Sequence, residues 1–97
     1  MAELLIDDEI ERGLTEVDGW RREGDAIVRD LDFADFAAAM AFVNRVADLA
    51  EQRNHHPDIL VHGWNKVRLT VSNHSAGGLT RPDFELASGV DRLLADR

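Results

Sequence analysis

From Phe33 to about Arg53, apolar side chains recur at helical spacing: Phe33, Phe36, Ala37, Met40, Val43, Val46, Ala47 and Ala50. The stretch is rich in alanine and contains no glycine or proline, so a long helix is predicted. Asp32 followed by Asp35 resembles a carboxylate form of the capping box at its start. Its end falls near Asn54, because Pro57 disfavours helical backbone at His56.

Downstream the period changes. Val67, Leu69 and Val71 alternate with Lys66, Arg68, Thr70 and Ser72, the pattern of a strand buried on one face. With Asp58–His62 and a reversal near Gly63, this predicts a hairpin. Upstream, Gly19 and Gly24 bracket a short strand, Trp20–Glu23. Gly24-Asp25 then turns into a second strand, on which Ile27, Leu31 and Phe33 share a parity opposite to Val28, Asp30 and Asp32.

Two further helices flank these elements. A short acidic one begins with Asp7 as N-cap and runs to Leu14. The last begins with Thr80 as N-cap, tolerates Pro82 in its first turn, and carries Asp83 three residues past the cap. Its apolar stripe is Phe84, Leu86, Ala87, Val90, Leu93 and Leu94. The order α-β-β-α-β-β-α predicts a two-layer α+β domain over residues 1–97, with three helices on one face of a four-stranded antiparallel sheet.

Composition narrows the function classes. Of 97 residues, 11 are Lys or Arg and 19 are Asp or Glu, so the net charge is −8, and there is no cysteine. The negative balance argues against nucleic-acid and anionic-membrane partners. Without cysteine there is no disulfide framework or thiolate metal site. The amino terminus lacks the basic, apolar and small-residue order of a signal peptide, and no apolar run is long enough to span a bilayer. The expected location is cytoplasmic. An alanine-rich helix and the uncovered face of a two-layer domain are expected to leave apolar surface for a homodimer or homotetramer.

All four histidines, His55, His56, His62 and His74, fall within 20 residues. Pairing about Gly63 brings the chain at His55-His56 beside the chain around Thr70, with His74 just beyond. Three imidazoles therefore meet at one rim, and His62 lies at the other end. Such a cluster has three readings: proton transfer near neutral pH, metal binding, or polar residues at element ends. Adjacent His55 and His56, without HExxH or cysteine, speak against zinc. Glu51 lies one helical turn before His55, and a helix C-terminus favours a protonated imidazole, which suits a proton donor better than a metal ligand.

Glu51-x-x-x-His55-His56-Pro57, then Trp64-Asn65-Lys66-Val67, His74, Gly77-Gly78-Leu79 and Asp83 closely resemble the pterin-4a-carbinolamine dehydratases. Trp20 and the stretch Ala26–Phe36 extend the resemblance over nearly the whole chain. It implies a hydro-lyase that dehydrates 4a-hydroxytetrahydrobiopterin, or a related 4a-hydroxytetrahydropterin, to the quinonoid dihydropterin. It implies that no metal or organic cofactor is needed, that the chain forms dimers or tetramers, and that it supports pterin recycling for aromatic amino acid hydroxylases. Some animal members of the family also serve as dimerisation cofactors, so a non-catalytic assembly module is the alternative.

By the same resemblance, His55 and His74 are the proton-transfer pair, His56 and Trp20 contact substrate, and Glu51, Asp83 and Pro57 support them. Each supporting residue also has a plainer reading. Asp83 is placed as a helix cap, Trp20 as a core or interface aromatic, Glu51 as a solvated helix residue, and Pro57 as a terminator. Trp64 stands where a tyrosine is common and is expected to be structural. Ser75 replaces a commonly acidic neighbour of His74. The interval from Pro57 to Trp64 is one residue longer than usual, which predicts a longer turn or a bulge.

Overall fold

In the computed structural model, which describes residues 3–96, the chain forms α1 (Asp7–Thr15), β1 (Arg21–Glu23), β2 (Ala26–Asp32), α2 (Phe36–Arg53), β3 (Asp58–His62), β4 (Lys66–Val71) and α3 (Arg81–Ala95). The predicted α+β order is the observed one. The four strands make one antiparallel sheet in the order β1-β2-β4-β3. The crossover through α2 thus places the second hairpin with β4 inside, against β2, and β3 at the edge.

The core lies between one sheet face and the helices. Ile27, Val67, Leu69 and Val71 project from the sheet onto Ala39, Phe42 and Val46 of α2 and Leu86, Ala87 and Val90 of α3, all buried. Burying a Leu, Ile or Phe side chain contributes about 1.5–3 kcal/mol, so this layer is the main source of stability. Gly13 lets α1 join it: a Cβ there would lie 2.8 Å from the Phe84 ring.

Helix starts differ from expectation. Asp35, not Asp32, caps α2, accepting from the Ala38 N–H at 2.7 Å. Asp32 completes β2 and pairs with Lys66. At α1, the residue before the helix is Ile6, whose N–H donates to the Glu9 carboxylate, so Asp7 is the first helical residue and not the cap.

The buried stripe of α2 is also rotated. Ala39, Phe42, Val46 and Ala50 face the core, whereas Phe36 is 54% exposed and Ala37 and Ala47 face outward. The helix is apolar on two sides, and periodicity merged them into one.

The open sheet face is mainly charged, with Leu60 exposed on it beside Arg68. Asp30 accepts from both Arg21 and Arg68, Arg21 also meets Glu23, and Lys66 meets Asp32. Hydrogen bonding from Arg68 holds the Asp30 carboxyl below its ordinary range. Cross-strand pairs of opposite charge stabilise this face without covering it.

The β3–β4 hairpin pairs without interruption from Asp58 opposite Thr70 to His62 opposite Lys66. The additional residue is therefore absorbed by the turn, where Gly63 and Trp64 both take positive φ (55° and 58°), and not by a bulge. Asn65 ties the turn to the end of β2: its side chain donates to the Phe33 carbonyl, and the Phe33 N–H donates to the Asn65 backbone carbonyl. Trp64 is 61% exposed, so its indole needs no buried partner.

Candidate active site

The site is built where α2 ends and β4 leaves the sheet. Asn54 adopts left-handed backbone (φ 50°) and stops α2, and the next N–H, of His55, donates back to the Ala50 carbonyl at 3.1 Å. This fixes the direction in which His55 and His56 leave the helix. Pro57, half-buried, then leads into β3. With Asp58 opposite Thr70, His55 and His56 come beside Ser72 and Asn73, two residues further along than the predicted neighbour Thr70.

His74 arrives from the other side on a closed loop. The Asn73 side chain accepts from the Ala76 N–H, its backbone carbonyl accepts from Gly77 and Gly78, and its N–H donates to the Gly78 carbonyl. Gly77 supplies the positive φ (81°) that this tight return needs. The result is an open recess of about 340 Å³ lined by Asn54, His55, His56, Ser72, Asn73, His74 and Ser75. Three imidazoles meet there, while His62 is exposed at the far end of the hairpin.

His55 is the anchored member. Its Nε2 donates to Asp83 Oδ1 at 2.5 Å, and its side chain is 17% exposed, whereas Asp83 is fully buried. The other carboxylate oxygen, Oδ2, accepts from the Thr80 N–H at 2.7 Å and from the Thr80 hydroxyl at 2.9 Å. Asp83 thus closes the start of α3 and holds an imidazole at once, so the two readings of this residue coexist. With Nε2 committed, Nδ1 is the His55 nitrogen without a protein partner among the described residues.

His56 is exposed, and its Nε2 donates to the still more exposed Glu51 carboxylate. Glu51 therefore pairs with the second histidine of the motif and not the first. His74 is exposed on its loop. Among the described residues, no group of three or more His, Asp or Glu side chains is arranged to hold a metal ion.

Trp20 does not line this recess. It is buried in the core, and its indole N–H donates to Asp91 at 2.9 Å; the same carboxylate accepts from the Asp18 N–H and from Arg29. A buried indole must find an acceptor, and the one within reach lies two turns along α3 from Asp83. Sequence reasoning did not single out Thr80 beyond its capping role, nor Asn73. The Asn in a run of turn formers was the available signal for the latter.

No helix of the described residues is long and apolar enough to cross a membrane. Residues 3–93 match the model of the pterin 4 alpha carbinolamine dehydratase family. A protein of Roseiflexus castenholzii, provisionally named pterin-4-alpha-carbinolamine dehydratase, is 48% identical over 94 residues, covering 97% of this chain and 100% of its own. Among solved structures, the crystal structure of a transcriptional coactivator/pterin dehydratase from Brucella melitensis superposes with a TM-score of 0.86 at 32% identity, covering 92% of this chain and 96% of the other. A pterin dehydratase-like protein identified as a RuBisCO assembly factor in the alpha-carboxysome gives a TM-score of 0.65 at 27% identity, covering 77% and 88%. The family-model match over residues 3–93, the nearly full-length relatives and the shared fold mean that the chain belongs to the pterin-4a-carbinolamine dehydratase family.

Proposed function

We propose that this chain is a hydro-lyase that dehydrates a 4a-hydroxytetrahydropterin to the quinonoid dihydropterin, with 4a-hydroxytetrahydrobiopterin as the type substrate. The observation that carries this is His55, held by the buried carboxylate of Asp83, in one recess with His56 and His74. Breaking the C–O bond at the saturated ring carbon needs a proton delivered to the departing oxygen. The neighbouring ring nitrogen gives up its proton as the C=N bond forms. Water leaves, nothing is oxidised, and one proton is accepted for each one donated.

His55 and His74 divide these two transfers. Asp83 keeps the His55 ring turned with Nε2 inward, and His56, braced by Glu51, contacts the pterin. A positioned acid–base group contributes about 10²–10⁴-fold. His55→Ala and His74→Ala are each expected to fold and to lose about tenfold or more in dehydration rate. A double variant as fast as wild type would sink the mechanism.

A homodimer or homotetramer is supported by the second apolar side of α2, where Phe36 and Ala47 are exposed and Met40 and Val43 are partly so, at helical spacing. A monomer by light scattering at micromolar concentration would remove that part. The assembly-module alternative draws on the likeness to the RuBisCO assembly factor. It predicts no turnover of the 4a-hydroxypterin by the wild-type protein.

A further inference from the structure

Thr80 is the one fully buried polar residue, besides Asp83 itself, in the described core. As an N-cap it would be expected to accept a backbone N–H of the first turn. Its N–H donates to Asp83 Oδ2 at 2.7 Å, one half of the capping box at this helix start, and its hydroxyl donates to the same oxygen at 2.9 Å. The opposite oxygen of that carboxylate is the one that holds His55. A carboxylate turns about two torsions, and two donors on one oxygen fix both, so the direction of Oδ1 is set from Thr80.

Thr80 is itself pinned. Leu4 forms an isolated antiparallel bridge with it, and the Leu5 N–H donates to the Leu79 carbonyl at 2.9 Å. The strap seats closely, since a Cβ on Gly78 would lie 3.0 Å from a Leu4 methyl. The chain Leu4–Thr80–Asp83–His55 therefore runs from an exposed amino-terminal strap through buried Thr80 and Asp83 to the half-buried His55 at the recess.

We propose that Thr80 is a positioning residue for the dehydration: its hydroxyl orients Asp83 and, through it, keeps His55 with the proton on Nε2 and Nδ1 facing the substrate. The inference rests on the dehydratase reading, and its spectroscopic arm does not. Thr80→Val keeps the shape and the backbone N–H but removes the hydroxyl donor; Thr80→Ala does so with less bulk, and serves if the Val side chain prevents folding. Thr80→Ser keeps the donor.

The expected result for Thr80→Val is a kcat lower by about 3–10-fold, the equivalent of one neutral hydrogen bond, with KM within about twofold. Long-range ¹H–¹⁵N spectra of the wild-type imidazoles should show neutral His55 as the Nε2–H form. In Thr80→Val or Thr80→Ala this signal should move towards a tautomer mixture, with His62 unchanged, and Thr80→Ser should restore both readouts. A tautomer signal that stays put overturns the proposal even if activity falls, because a merely structural role would do the same. A moved signal with unchanged kcat overturns it too. If the His55 and His74 double variant keeps full activity while Thr80→Val still moves the His55 signal, the dehydratase mechanism has failed and the relay has not.

Discussion

Two aspartates on α3, eight residues apart, each gather three donors and do different things. Asp83 accepts from Thr80 twice and from His55; Asp91 accepts from Trp20, from the Asp18 N–H and from Arg29. The partners of Asp91 are an indole, a backbone N–H and a guanidinium, none of them on the histidine recess, and that cluster braces the structure. One partner of Asp83 is an imidazole on the wall of an open recess, where the proposed dehydration would use the same architecture for proton transfer. A carboxylate hub is functional through the residue it holds, not through its own burial.

Emptying each hub in turn should separate the two aspartates most widely. Asp83→Ala should lower kcat/KM by about 10–100-fold, the range for losing a group that orients a functional imidazole. It should also cost about 1–3 kcal/mol, because the buried Thr80 N–H and hydroxyl lose their acceptor. Steady-state kinetics and urea denaturation read the two. Asp91→Ala should cost about 2–3 kcal/mol through the lost charged and indole hydrogen bonds. Its dehydration rate should stay within about twofold of wild type, since about the same turnover is expected when no reacting group moves. Equal losses of activity in the two variants would erase the distinction.

A third carboxylate cluster sharpens the contrast by lying in solvent. Asp30 on the open sheet face is held below its ordinary pKa by Arg68, with Arg21 adding to the effect. Its folded pKa is depressed, so its stabilisation is present above the unfolded carboxylate range and fades as pH falls through the lower folded value. The urea midpoints of wild type and Asp30→Asn should differ modestly at pH 7 and converge as the pH is taken below about 4, with the gap reduced by salt. The smallest effect is expected at His62, exposed at the far end of the hairpin from the recess. His62→Ala should leave turnover within about twofold of wild type in the same assay, since surface substitutions away from special features change little.

The element order was legible because helix and strand periods differ and glycines, prolines and caps mark the joints. The meeting of His55, His56 and His74 was legible too, because antiparallel pairing about a turn equates distances along two strands. Other features were not. The periodicity of α2 could not say which of its two apolar sides faces the core, since Phe36 and Phe42 are equally hydrophobic. Trp20 could be matched to a family position, but its partner Asp91 lies 71 residues away.

What the sequence determines by itself here is a local matter: which stretches coil or extend, where they stop, and which histidines share a rim. The tertiary structure alone decides which imidazole is held and by what. That choice depends on α3 bringing Asp83, 28 residues from His55, into hydrogen-bond range while the core removes water from it. Bond direction and desolvation arise from packing between distant segments, and no local pattern encodes them.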